Sequence, residues 1–472
     1  MRLGALTGSD DSQSVTGFAI DHRKVAPGTV FGAFAGSRFN GEDFIAEAVA
    51  AGAVAVVARP QVKVERAVHI RSDQPRRAFA QLAARFFKPF PKAIVAVTGT
   101  NGKTSTVELT RQLWRMAGHP SASIGTLGVT TSDDQVTTGL TTPDIVTFLS
   151  NMAGLAKMGI THAAFEASSH GLDQYRTEGP QVRAAAFTNF SRDHLDYHGT
   201  MDAYFEAKMR LFDEVVEPDG TAVIWADDPK SPEVVRRASE RGLSIMTVGK
   251  GGADLRLAER TLTQLGQALV VEAGGHMHKV ALNLIGAYQA ANALTAASLA
   301  IATGGDVADT LRNLSRVHPV RGRLERAVIT RDGAPIYVDY AHTPDAIEAA
   351  IEALRPHTAN RLITVLGAGG DRDVGKRVEM GAVAARLSDL VIVTDDNPRS
   401  EDPAVIRREI LLGAPDANEV AGRREAIEAA VAQARDGDII LLAGKGHEQG
   451  QIVGDRVLPF DDVTVARECA GR

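Results

Sequence analysis

Seven times along the chain an apolar run of strand length ends in a polar cluster. Ile94 to Val97 runs into Thr98-Gly99-Thr100-Asn101-Gly102-Lys103-Thr104, Ala163 to Phe165 into Glu166-Ala167-Ser168-Ser169-His170, and Ala184 to Thr188 into Asn189-Phe190-Ser191-Arg192-Asp193-His194. Further on, Ile336 to Val338 precedes Asp339-Tyr340-Ala341-His342, and Leu362 to Leu366 precedes Gly367-Ala368-Gly369-Gly370-Asp371-Arg372. Leu390 to Thr394 precedes Asp395-Asp396-Asn397-Pro398-Arg399, and Ile439 to Ala443 precedes Gly444-Lys445-Gly446-His447-Glu448. Helical stretches separate these runs, and such βα alternation predicts an α/β protein with mainly parallel sheets. Ligands of open parallel sheets sit beyond the carboxyl ends of the strands, so the seven clusters predict two ligand-facing sheet rims with a site in the cleft between them.

Punctuation divides the chain into three segments. Prolines in Lys88-Pro89-Phe90-Pro91 break helix continuation. A second break falls at His318-Pro319, after which the strand and helix alternation restarts. The expected domains are residues 1–90, 91–318 and 319–472, since 472 residues is about the length of three ordinary domains and several cores are expected. No solenoid repeat or low-complexity linker is visible.

Composition narrows the class. Hydrophobic residues make up 44% and charged residues 23%, ordinary for a globular protein. The net charge of −6, without a long basic run, speaks against a nucleic-acid partner. Cys469 is the single cysteine, so neither an intrachain disulfide nor a cysteine-built metal site is possible. Asp10 and Asp11 interrupt the start before a signal-length apolar run develops, and no stretch reaches the roughly 20 apolar residues of a membrane span. A cytoplasmic location without membrane insertion is expected.

The run Gly99-Thr100-Asn101-Gly102-Lys103-Thr104-Ser105 follows a strand and opens a helix near Thr104. Its glycines let backbone N–H groups approach phosphate oxygens, Lys103 can reach the terminal phosphates, and Thr104 can hold Mg²⁺. Its leading position is Val97 rather than glycine, with the glycine two residues later, and the plainer alternative is a Gly-rich turn. Glu166 and His194, at strand ends of the same sheet, suit either Mg²⁺ ligation or an ordinary satisfied polar role. Lys208 lies in a helical pattern with Phe205, Met209 and Phe212 on one face, where a lysine is ordinarily solvated or snorkelling. Asp396-Asn397-Pro398-Arg399 and Gly444 to Glu448 combine a planar guanidinium with carboxylates, which suits a zwitterionic amino acid. A surface turn begun by Asn-Pro is the alternative.

Together these motifs resemble those of the Mur ligases, most closely the members that add diaminopimelate. The resemblance covers nearly the whole chain: Asp21-His22-Arg23 with Pro27 to Phe31, Thr98 to Ser105, Thr141-Thr142-Pro143, Glu166 to Arg176 and Thr188 to Gly199. It continues through Arg321 to Glu325, Asp339 to Asp345, Gly369 to Lys376, Asp396 to Arg399 and Gly444 to Glu448.

This resemblance implies a small α/β amino-terminal domain for the UDP group, a central P-loop-type ATP domain and a Rossmann-like carboxyl-terminal domain for the amino acid. The implied reaction joins meso-diaminopimelate to UDP-N-acetylmuramoyl-L-alanyl-D-glutamate through an acyl phosphate, at the expense of ATP, in peptidoglycan precursor synthesis. Lys103, Glu166, His194 and Lys208 would be catalytic. Lys208 would carry a CO₂-derived carbamate and share Mg²⁺ with Thr104, Glu166 and His194. ATP would meet Gly99 to Ser105, Asn292, Arg323 and Asp339. The nucleotide-dipeptide would meet Ile20, His22, Ser37, Arg38, Phe39, Thr141, Thr142, Ser168, Gln174 and Arg176. Diaminopimelate would meet Arg372, Asp396, Asn397, Pro398, Arg399, Gly444 and Glu448.

A monomer is expected. His22 stands where the family usually has serine, and Tyr288-Gln289 replaces its usual His-Asn pair. Rival readings are a lysine-adding member, the related folylpolyglutamate synthetases, and a nucleotide-gated regulatory protein.

Overall fold

The computed structural model describes residues 1–36, 40–132, 135–136, 141–263 and 266–471. All seven apolar runs are strands: Ala93–Thr98, His162–Glu166, Val182–Phe187, Pro335–Asp339, Leu362–Leu366, Leu390–Val393 and Ile439–Ala443. Every residue of Ala93–Thr98 is buried, as an interior parallel strand covered by helices on both faces requires.

The first three runs are neighbours near the middle of an eleven-stranded sheet, with Ala93–Thr98 between Val182–Phe187 and His162–Glu166. Their common direction puts the three polar clusters on one rim. The other four are parallel neighbours in a six-stranded sheet, where Ile439–Ala443 is inserted between Pro335–Asp339 and Leu362–Leu366. A separate sheet of four parallel strands lies within residues 17–71, so the chain is α/β throughout. An antiparallel meander, Leu255–Thr263, Gly266–Ala273 and His276–Leu282, extends one edge of the large sheet. Alternation in its middle strand turns Leu269, Val271 and Ala273 inward.

Several cores are present, as expected, and the first segment has one of its own around Phe31, Ile45 and Val56. A single hydrophobic cluster runs from Leu3, Phe18 and Phe79 into Phe148, Phe165 and Phe212, so the first segment shares a core with one face of the central sheet. The second face buries Val95, Val97 and Leu294 separately. The last sheet has a core on each face, one containing Ile347 and Leu366 and the other Ile336 and Ile427. The shared core ties the first segment to the central one, and Ile285 and Tyr288 of the central segment pack against one core of the last.

Candidate active site

The turn after Ala93–Thr98 depends on two glycines. Gly99 (φ 144°) and Gly102 (φ 86°) occupy backbone regions that L side chains avoid. A Cβ would stand 1.9 Å from Thr188 Oγ1 at Gly99 and 2.3 Å from Asn292 Oδ1 at Gly102. The neighbouring strand end pins the turn: Asn101 N donates to Asn189 Oδ1 at 2.8 Å, and Thr188 Oγ1 donates to the Asn101 carbonyl at 2.6 Å. Helix Lys103–Met116 begins at once, one residue earlier than expected. Lys103 folds back to donate to the carbonyls of Gly99 and Thr100, at 2.9 and 2.7 Å.

Lys208 is not the solvated lysine that its helix pattern suggested. It is 1% exposed, donates to the Gly99 carbonyl at 2.7 Å and lies 4.3 Å over the Tyr204 ring. Helix Met201–Arg210 buries Phe205 and Met209, and the adjacent stripe of Tyr204 and Lys208, also four residues apart, is buried against the Gly99 to Lys103 turn. That second buried stripe was the missed signal. Burial, reinforced by Lys103, depresses the Lys208 pKa far below that of an ordinary lysine.

Glu166, 2% exposed, accepts hydrogen bonds from Thr126 N at 2.7 Å and Thr126 Oγ1 at 3.1 Å. Gly125 leaves room for it, since a Cβ there would lie 2.2 Å from Glu166 Oε1. His194 adopts a left-handed backbone (φ 55°), and burial lowers its pKa against the opposing Asp193. Burial would raise the Asp193 carboxyl, but His194, His342 and Lys376 more than offset this and hold it low.

From the six-stranded side, Arg323 Nη2 donates to Thr104 Oγ1 at 3.0 Å and its guanidinium lies 4.5 Å over the Tyr340 ring. Asp339 accepts from Leu324 N at 2.6 Å, and burial pushes its pKa up to about 6 despite Arg323. Thr100 to Ser105, Glu166, His194, Lys208, Asn292, Arg323 and Asp339 thus line one cavity of about 290 Å³ between the two sheets. Asp193, Tyr340 and His342 line it too, although sequence reasoning did not single them out as site residues. Their place in polar clusters at strand ends was the available signal.

Thr126, Thr141 and Ser168 also line the cavity and belong to a chain of hydrogen bonds that leads away from it. Thr142 Oγ1 lies 2.8 Å from the Glu166 carbonyl and 2.9 Å from Ser168 Oγ. Arg176 donates to the Thr142 carbonyl at 3.0 Å and, through Nε and Nη2, to Gln174 Oε1 at 3.1 and 2.6 Å. Thr141 joins through Thr126, hydroxyl to hydroxyl at 3.1 Å. Ile20 and His22 are elsewhere: Ile20 packs on the shared core, and His22 stacks on Phe44 at 4.3 Å. Ser37, Arg38 and Phe39 lie outside the described residues.

The residues expected to meet the amino acid gather at the rim of the six-stranded sheet. Arg399 (φ 53°) donates from Nη1 to the Gly370 carbonyl at 2.7 Å, and its pKa is lowered by burial and then by Arg372. Arg372 is tied to the Asp371 carbonyl at 3.2 Å. Gly370 gives Pro398 space, and Gly444 (φ 115°) gives space to Asp396, whose Oδ2 would be 2.6 Å from a Cβ. Asn397 faces inward: Nδ2 donates to Glu448 at 2.7 Å, while Oδ1 accepts from Ile452 N at 2.9 Å and Lys445 at 3.1 Å. Lys445 itself was missed, although it lies inside one of the seven clusters.

Three family descriptions match successive parts of the chain: the Mur ligase family catalytic domain at residues 14–87, the Mur ligase middle domain at 97–300, and the Mur ligase glutamate ligase domain at 322–446. The chain therefore belongs to the Mur ligase family. It is 60% identical to the UDP-N-acetylmuramoyl-L-alanyl-D-glutamate--2,6-diaminopimelate ligase of Zymomonas mobilis subsp. mobilis, over 98% of this chain and 96% of that protein. A solved structure of a ligase of that name superposes with a TM-score of 0.73 at 32% identity, covering 100% of this chain and 99% of the other. The MurF ligase of Thermotoga maritima, in complex with ADP, shares the fold at 21% identity, with a TM-score of 0.64 and 97% of each chain covered.

Proposed function

We propose that this chain is the ATP-dependent ligase that adds meso-diaminopimelate to UDP-N-acetylmuramoyl-L-alanyl-D-glutamate, in the cytoplasm and as a monomer. The observation that carries the reading is the single cavity in which the Lys103 turn faces Arg323 and Asp339 across two sheets, in a chain 60% identical to a ligase of that name. Among the described residues no helix is long and apolar enough to cross a membrane. We also propose domain limits of 1–90, 91–318 and 319–472, since the strands of the three large sheets fall within 17–71, 93–282 and 325–443.

A carboxylate is a poor electrophile until one oxygen becomes a leaving group. In the proposed sequence the D-glutamate carboxylate attacks the γ-phosphorus, ADP departs and an acyl phosphate forms. The diaminopimelate amine then attacks the acyl carbon, phosphate leaves with the C–O electron pair, and the nitrogen loses a proton to give the amide. Lys103 and Arg323 neutralise phosphate charge; Thr142, Ser168, Gln174 and Arg176 orient the dipeptide. Asp396 and Glu448 receive the ammonium, and Arg399 with Arg372 receives carboxylate.

The donor set suits Mg²⁺: the Thr104 hydroxyl and Glu166 carboxylate are hard oxygen ligands, and the depressed His194 pKa keeps its imidazole neutral. Among the described residues no group of three or more His, Cys, Asp and Glu could hold an ion by itself. The protein would therefore supply part of the shell and phosphates and water the rest, the usual arrangement for Mg²⁺. Bound there, the ion neutralises charge on the transferring phosphoryl group. Lys208 suits carbamate formation because its depressed pKa favours the free amine, the form that attacks CO₂ with loss of a proton. The resulting anion would join the metal site.

Phosphate release tests the reading. Release that requires ATP, the nucleotide-dipeptide and diaminopimelate together is expected. Preference for lysine would move the chain to the lysine-adding branch, and release independent of both acceptors would make it a nucleotide switch.

A further inference from the structure

Lys445 is buried completely, and it is not among the residues that line the cavity between the sheets. An ammonium has three N–H donors, and here each has an acceptor: Gly450 O at 2.7 Å, Glu448 Oε2 at 3.0 Å and Asn397 Oδ1 at 3.1 Å. Asp396 Oδ1 lies a little further away, at 3.7 Å. With every donor committed, Lys445 acts only through its partners.

Those partners join three pieces of backbone. Glu448 follows the strand Ile439–Ala443, Asn397 follows Leu390–Val393, and Gly450 begins a two-stranded hairpin, Gly450–Val453 with Arg456–Pro459. The hairpin lies along the Asp396 to Arg399 run. Gln451 Nε2 donates to the Asp396 carbonyl at 2.6 Å, Arg399 N donates to the Ile452 carbonyl at 3.0 Å, and Gly454 N donates to the Arg399 carbonyl at 2.7 Å. Glu448 Oε2 accepts from both Asn397 and Lys445. That arrangement commits one carboxylate oxygen, and the side chain remains 28% exposed.

We infer that Lys445 is a positioning residue for amino-acid selection: it orients the free oxygen of Glu448 and locks the hairpin that holds Arg399. The inference rests on the proposed amino-acid role of this rim.

The test compares Lys445→Met, Glu448→Gln and the double variant, measuring KM for diaminopimelate, ATP and the nucleotide-dipeptide, kcat, and preference for diaminopimelate over lysine. Lys445→Met should raise the diaminopimelate KM by about tenfold to a hundredfold, as loss of a charge-assisted hydrogen bond does, and weaken the preference. KM for the other two substrates should stay within about twofold, and the double variant should fall well short of the product of the two single effects because Lys445 and Glu448 share one interaction. Should Lys445→Met fail to fold, Lys445→Gln, which keeps a donor but loses the charge, carries the same comparison. An unchanged diaminopimelate KM, an equal rise for all three substrates, or effects that multiply in the double variant would each overturn the inference. A wild-type enzyme without diaminopimelate-dependent phosphate release would instead defeat the underlying functional reading.

Discussion

Lys103 and Lys208 donate to one acceptor, the Gly99 carbonyl, at 2.9 and 2.7 Å. Two ammonium groups on a single buried carbonyl disfavour double protonation, and the more deeply enclosed Lys208 bears the larger depression. Lys208→Met is expected to lower kcat by about a hundredfold or more, the scale on which losing a preorganised electrostatic group acts. With ¹³C-labelled bicarbonate, wild-type protein should show a carbamate carbon by NMR and the variant none; a signal that survives the substitution would remove Lys208 from that role.

Under the proposed function, Arg399 would read a charge rather than a shape. Diaminopimelate carries one carboxylate more than lysine, so a half-buried guanidinium rewards the first and is left unpaired by the second. Arg399→Ala should raise the diaminopimelate KM by about ten- to a hundredfold while leaving ATP affinity nearly intact, the loss of a hydrogen bond to a charged group. Amino-acid kinetics identical to wild type would refute the assignment.

At Gly102 a methyl group meets both a left-handed backbone and Asn292 Oδ1 at 2.3 Å. Gly102→Ala should therefore destabilise the turn by about 1–3 kcal/mol. Calorimetry should find weaker ADP binding, with the largest loss of amide protection confined to residues around 99–105. Unaltered nucleotide affinity would show that the turn can relax without cost.

Several imidazoles are held neutral. Burial, then a nearby positive or imidazole neighbour, takes His342, His170 and His162 to about 4 and His447 to about 3, against an ordinary 6.5. Between those values the unfolded chain binds protons that the folded chain does not, so stability falls as pH drops from about 6.5 towards 4. Asp339, raised from 3.8 to about 6, works the other way across that window, as do Glu178 and Asp228, which burial also raises, but these are outnumbered by the histidines, since His194, His198 and His357 are lowered by burial as well. The urea midpoint should be lower at pH 5 than at pH 7, and His162→Gln, remote from the cavity, should flatten part of the difference. Equal midpoints for wild type at the two pH values would contradict this account.

The sequence by itself determined the strands and where chemistry would collect on them. Continuous apolar runs such as Ile94 to Val97 are stable only between two covering layers, and the polar residues that end them must emerge at a sheet rim. The same reasoning put the Gly99 to Ser105 turn and the Asp396 to Arg399 run on facing sheets. Only the tertiary structure decided that part of the first segment shares a core with the central sheet, that Lys208 is buried on the Gly99 carbonyl, and that the buried Lys445 donates to Asn397. Burial and the partner of a charged group depend on residues far away in the chain, and a local pattern of polar and apolar positions carries no record of them.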